Sequence, residues 1–159
     1  GPGDTVLLPR ILEAAHRGKL PLLTRPGSPT VGDLIYIDNL VDYIILATIK
    51  PEIQGDYNLT NNHPIEINAF LLEILNQLGI AAPVRHVSVA TAMRAAGLLE
   101  LFHRLFLPTK EPAITRFGVH VFAYSKTFDV TKSILAMGPP RVSLDEGVRC
   151  TVQQLLRNA

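Results

Sequence analysis

Apolar positions along the chain fall into helical stripes separated by short runs suited to strands. Leu34, Ile35, Tyr36 and Ile37 form a compact β-branched and aromatic run that predicts a buried strand. The period then changes. Leu40, Val41, Ile44, Ile45 and Thr48 recur at helical spacing, Asp38 is placed to cap the first turn, and Pro51 bounds the helix. The clearest stripe is Ile67, Leu71, Ile74, Leu75 and Leu78, closed by Gly79. Ahead of these, Val6, Leu7, Leu8, Ile11, Leu12 and Ala15 predict an opening helix, capped by Asp4 or Thr5 and stopped at Gly18, with Pro9 tolerated near the first turn. Pro21, Pro26, Gly27, Pro29 and Gly32 make the stretch between them loops or a short irregular hairpin.

The second half continues in the same manner. Gly55 to Thr60 predicts a strand, Asn61-Asn62-His63-Pro64 a turn, and Val84 to Val87 another short strand. Ser88 can cap a long helix that carries Val89, Ala92, Met93, Ala96, Leu99, Phe102, Leu105 and Phe106 and stops between Leu107 and Pro108. Arg94, Glu100, His103 and Arg104 interrupt it, so it lacks the roughly 18 uninterrupted apolar residues of a membrane span. Three roles are open to it: an ordinary core helix, a helix lying in a membrane surface, or the wall of an apolar pocket. Pro112 to Tyr124 reads as a turn and then a strand through Val119, Val121 and Ala123; Asp129 caps a short helix ending near Gly138. Ser143-Leu144-Asp145-Glu146 is a capping box, predicting a last helix from Leu144 to about Leu156. The fold class is α/β or α+β, one domain over residues 1–159 with two or three short core strands among helices.

Composition narrows the function classes. Mean hydropathy is +0.23 and 47% of residues are hydrophobic, which is apolar for a domain and leaves surface suited to a partner. Fifteen Lys/Arg against fourteen Asp/Glu, with no dense basic run, argue against nucleic acid as a partner. The lone Cys150 can form no internal disulfide, and no signal peptide opens the chain, so a cytoplasmic location is expected, with membrane-surface contact left open through the long apolar helix.

Tyr36-Ile37-Asp38-Asn39-Leu40-Val41-Asp42 resembles the strand-to-helix motif in the C-terminal half of extended short-chain dehydrogenases/reductases, best in their 3β-hydroxysteroid dehydrogenase-like branch. Gly1-Pro2-Gly3-Asp4 resembles the end of that family's Arg-Pro…Tyr-Gly-Pro-Gly-Asp loop, and Gly55-Asp56-Tyr57-Asn58-Leu59-Thr60 its last core strand. Thr127 to Lys132 followed by Pro140 to Gly147 resembles its closing two-helix signature. The resemblance implies the C-terminal, substrate-binding part of a Rossmann-type NAD(P)-dependent oxidoreductase or epimerase-dehydratase relative. The implied partner is an N-terminal dinucleotide-binding half, expected to be absent from this chain. Without it, a strand edge and apolar helix faces are expected to stay uncovered and to favour self-association.

The residues agree that hydride chemistry is not housed here. A dinucleotide needs a Gly-rich turn between strand and helix, and none of the eleven glycines makes such a cluster. Tyr124-Ser125-Lys126 does not match the family's Tyr with a Lys four residues later, so no catalytic residue, and no NAD or NADP for this chain alone, is expected. In the family's nucleotide-sugar branch an Asn pair and an Arg hold the diphosphate; Thr5-Val6 and Gly32 stand at the matching positions. Losing those bonds, at roughly 1.5–3 kcal/mol each, points to an apolar substrate such as a sterol-like alcohol or ketone. Leu7, Leu8, Tyr36 and Arg116 are the candidate substrate-binding residues: two apolar walls, a phenol donor and a cation for a carboxylate or phosphate. Core packing for the leucines, an internal partner for Tyr36 and a surface role for Arg116 stay open beside that reading. The five histidines lack i, i+4 spacing, so no metal is expected, and Cys150 is expected to be a buried thiol. A non-catalytic lipid-, membrane- or protein-binding module on the same scaffold is the alternative.

Overall fold

A computed structural model of the chain describes residues 1, 3, 7–27, 29–81, 85–109, 112 and 114–158. The cap expected at Asp4 or Thr5 and the strand start at Val84 lie outside them. In chain order the elements are α1 (Leu7–His16), β1 (Pro21–Thr24), β2 (Val31–Gly32), α2 (Ile37–Ile49), β3 (Ile65–Glu66), α3 (Ile67–Gln77), β4 (Arg85–Ser88), α4 (Val89–Phe106), α5 (Arg116–Ala123), α6 (Thr131–Met137) and α7 (Leu144–Asn158). β1 pairs with β4 in parallel, Pro21 opposite Arg85 through Thr24 opposite Ser88, and β2 pairs with β3 antiparallel. The architecture is mixed α/β, as the sequence pattern indicates.

Helices sit where stripe and cap coincide. Ser88 Oγ accepts from Thr91 N at 3.1 Å to start α4, and Gly79, at φ 68°, follows α3 in a conformation glycine adopts without steric cost. Ser143 Oγ accepts from Glu146 N at 3.2 Å at the start of α7. α3 begins on an unforeseen cap, the Glu66 carboxylate, which accepts from Asn68 N and Ala69 N. Asp129 stands just before Val130, the N-cap of α6, and its Oδ1 accepts from Thr131 N at 2.9 Å. Hydrogen bonding from Thr131, by its side chain first and then by this N–H, holds the Asp129 carboxyl below its usual range.

Three expectations need correction. Residues 34–37 are not a strand: Tyr36 is extended at φ −74° and ψ 140°, but it is already the N-cap of α2, and Asp38 lies inside the first turn. Gly55 to Thr60 forms no strand: Gly55 is a bend at φ 89°, and residues 56–60 carry no backbone ladder among the described residues. The segment 116–123 is helical because Val119 and Ala123, four apart, bury against Ala92 and Ala96 of α4, while the intervening Val121 is exposed.

The core is divided into three clusters. Val89, Ala92 and Ala96 meet Val119 and Ala123; Ile11 and Ala15 meet Leu20 and Leu75; Leu8 meets Ile74 and Val152. α2 contributes differently. Its buried residues are Asn39 and Tyr43, whereas Ile37, Val41, Ile44, Ile45 and Ile49 are exposed, so the predicted apolar stripe faces outward.

Candidate functional site

The segments singled out in the sequence meet at one junction around the start of α2. Asn39, 1% exposed, donates from Nδ2 to Val142 O at 2.8 Å and to Asn61 Oδ1 at 3.1 Å, and its Oδ1 accepts from Val142 N at 2.9 Å. Asn61 Oδ1 also accepts from Tyr36 N at 2.8 Å, its Nδ2 donates to Val142 O at 2.9 Å, and its own N–H donates to Leu34 O at 2.7 Å. Two amide side chains thus do between loops what a ladder does between strands, satisfying backbone groups that burial would otherwise orphan. The turn beyond is built from Asn62, at φ 51°, with Thr60 Oγ1 accepting from Asn62 N.

The closing segments dock onto the same junction. Asn58 Nδ2 donates to Asp129 O, Ser133 Oγ donates to Asn58 O at 2.7 Å, and Lys132 Nζ donates to Asp56 O while standing 4.3 Å from the Tyr57 ring centre. Arg141 Nε lies 2.9 Å from Asp42 Oδ2. Gly1 also reaches it, its Cα being close enough to Ile37 that an added Cβ would stand 2.9 Å from that side chain. A cleft of about 390 Å³ opens beside the junction, between Asn39, Asp42, Tyr43 and Leu46 of α2 and the turn Met137–Arg141. Tyr43 Oη donates across its edge to Gly138 O at 3.1 Å, and burial pushes that phenol up.

The candidate substrate residues whose side chains are described, Leu8, Tyr36 and Arg116, do not converge. None of the three lines this cleft or a further one, of about 480 Å³, between Ala15–Gly18 and Gly79–Ala81. The Leu7 side chain lies outside what the structure describes. Leu8 is packed in the cluster with Ile74 and Val152. Tyr36 is buried with its ring against Gly147 of α7; burial first, then the charge of Asp38 and the Cys150 thiol, push its phenol up, so it stays protonated. Cys150 is exposed, contrary to expectation.

Arg116 is committed elsewhere. Its backbone N–H donates to Glu100 Oε1 at 2.7 Å and its Nε to Oε2 at 2.8 Å, which ties the first turn of α5 to α4. These bonds hold the Glu100 carboxyl below its ordinary 4.5. A carboxyl lowered on folding stabilises the fold above its unfolded value, and that contribution is lost as pH falls through the folded value. Docking of α5 should therefore weaken below about pH 4.5, and Glu100→Gln should flatten this acid limb. Acid titration of the amide signals of Val119 and Ala123 measures it; an unchanged acid response in the variant would refute the assignment.

Sequence reasoning passed over Asn39 and Asn61. The available signal was the spacing of Asn39 and Tyr43, one turn apart on the face opposite the isoleucines.

No protein-family model matches the chain. It is 30% identical over 164 residues to 3beta-hydroxysteroid-dehydrogenase/decarboxylase isoform 1 of Arabidopsis thaliana, covering 96% of this chain and 37% of that protein. It is 31% identical over 156 residues to the 2-alkyl-3-oxoalkanoate reductase of Shewanella oneidensis, covering 94% of this chain and 40% of the reductase. The chain resembles 3β-hydroxysteroid dehydrogenase-like oxidoreductases. It spans about two fifths of the length of these two curated relatives. The crystal structure of gox2253 shares its fold, with a TM-score of 0.66 and 16% identity over 100% of this chain and 47% of that one. For this dehydrogenase-like chain the junction is thus the place where the family-like segments are held together.

Proposed function

We propose that this chain supplies the substrate side of an NAD(P)-dependent oxidoreductase acting on a sterol-like or other apolar alcohol or ketone. The observation that carries the reading is similarity along almost the whole chain to a 3β-hydroxysteroid dehydrogenase/decarboxylase, in a chain whose family-like segments are assembled at one junction. The Shewanella relative is named for a 2-alkyl-3-oxoalkanoate, a ketone that carries alkyl chains and a carboxylate, which supports an alkyl-rich ketone as the substrate class. Gly32 adds to it. Glycine there offers no guanidinium for the diphosphate that an arginine holds in the nucleotide-sugar branch, and a Cβ would stand 3.0 Å from Cδ1 of the half-buried Ile67.

The start of α2 offers no cradle for the dinucleotide itself. The turn from Tyr36 into α2 carries no glycine, and the polar groups beside it, Asn39 and Asn61, are already engaged with one another and with Val142. No step of hydride transfer is therefore assigned to them. A companion nucleotide-binding half is part of the proposal, and the outward isoleucine stripe of α2 together with the unladdered segment 55–60 is the surface it would cover. Calorimetric titration of the chain with NADH and NADPH should give no binding. Micromolar affinity for either would place a nucleotide site in the chain and remove the reading.

A further inference from the structure

α4 and α5 share a core that the other helices do not enter. Val89, Ala92 and Ala96 meet Val119 and Ala123, with Leu23 of β1 and Val87 of β4 packed against them, whereas the other two clusters draw on α1, α3 and α7. The two helices are bound to each other as a pair. Arg116 engages both oxygens of Glu100, and its Cδ would lie 3.8 Å from a Cβ at Gly97, so α5 starts tight against α4. The sheet beneath the pair belongs to the body of the chain. Strand alternation puts Leu22 on the opposite face of β1 from Leu23; Leu22 is 2% exposed and outside the helices' cluster, and Leu23 O accepts from Asn68 Nδ2 of α3 at 3.0 Å.

The pair is held down lightly. The buried members of its cluster are alanines and valines, which bury less apolar area than the leucines and isoleucines of the other two clusters. Ties across to the body gather where α5 finishes. Thr30 Oγ1 donates to Ala123 O at 3.3 Å, Val31 N donates to Ser125 Oγ at 2.9 Å, and the Arg25 guanidinium stands 5.1 Å from the Tyr124 ring centre. Lys126 marks where the body resumes, since its N–H donates to Val31 O at 2.9 Å and it bridges to Gly32. Both ends of the pair are extended residues that can turn without breaking a helical bond: Ser88 at φ −64° and ψ 142°, and Tyr124 at φ −124° and ψ 131°. Lightly covered elements bounded in this way are the ones that open below the free energy of global unfolding.

We propose that α4 and α5 form a latched flap, which opens from the β1–β4 sheet as one unit while the junction around Asn39 stays closed. The inference does not depend on the catalytic reading. Opening uncovers an apolar face, Leu23 and Val87 below and the alanines and valines of the helices above, without disturbing the rest of the core. Native-state hydrogen exchange of the chain tests it. The amides of Ala96 and Val119 should show equal protection, on the order of tenfold or more below that of Leu75 in α3 and Val152 in α7. Ser125→Ala and Thr30→Val each remove one latch. Each should lower the protection of Ala96 and Val119 about fivefold, the ratio that one net hydrogen bond corresponds to, and leave Leu75 and Val152 unchanged. Ser125→Thr, which keeps the hydroxyl, should match the parent. The proposal is overturned if all four amides are equally protected in the parent, or if Ala96 and Val119 differ, which would mean that the helices do not open together. It is equally overturned if the latch variants change nothing, or if they speed exchange at Leu75 and Val152 as much as in the flap.

Discussion

Asn39→Ala should lower the free energy of unfolding by about 3–5 kcal/mol, because it removes three hydrogen bonds at a fully buried position and orphans their partners. A net hydrogen bond stabilises by about 1 kcal/mol, but a buried donor left unpaired costs a further 1–3 kcal/mol or so. Here Val142 N–H is left without its acceptor. For a chain of this length the loss corresponds to a fall in Tm of roughly 10 °C, large against a typical total stability of about 5–15 kcal/mol. Asn39→Asp separates hydrogen bonding from shape. The carboxylate fits the space and still accepts from Val142 N–H, but it cannot donate to Val142 O or Asn61 Oδ1, so most of the loss should remain. Thermal unfolding of the two variants decides the point; an aspartate variant as stable as the parent would show that packing, not the amide network, holds the junction.

The second large effect runs against intrinsic helix propensity. Gly147→Ala lies inside α7, where alanine is favoured over glycine by about 1 kcal/mol. A Cβ at this position would stand 2.5 Å from Tyr36 Cδ2 and 2.7 Å from Cγ, and the ring, buried at the start of α2, has nowhere to retreat. A net destabilisation of about 1–3 kcal/mol is expected. Combining it with Tyr36→Leu should recover part of the loss, since the two residues share one contact, and a double-mutant cycle with zero coupling would disprove the contact. A Gly147→Ala variant more stable than the parent would contradict the packing outright.

These two positions also show where the sequence was legible. α3, α4 and α7 were readable because stripe, cap and stop agree locally: Ser88 and Ser143 do what their positions suggest, and Gly79 ends what Ile67 to Leu78 begin. α5 was misread because positions 119, 121 and 123 satisfy a strand period while 119 and 123 also satisfy a helical one; contact with Ala92 and Ala96 decides between them. Residues 34–37 have the composition of a strand but bond to the Asn61 backbone and side chain in place of a ladder. The importance of Asn39 depends on Asn61 and Val142, 22 and 103 positions away, which no local pattern contains. Of the candidate site, the sequence leaves Tyr36 open between a substrate contact and an internal partner, whereas Arg116 gives no local sign of its engagement with Glu100, which lies 16 positions earlier on another helix.

Hydride transfer by the chain joined to a nucleotide-binding half that carries the Gly-rich turn and the Tyr and Lys pair tests the oxidoreductase reading most directly. The expected result is consumption of NADH or NADPH on addition of a sterol-like or 2-alkyl-3-oxo substrate, at a rate that falls when the junction is broken by Asn39→Ala. An assembly that folds, yet neither binds NAD(P)H nor reduces any sterol-like or small ketone, would contradict it.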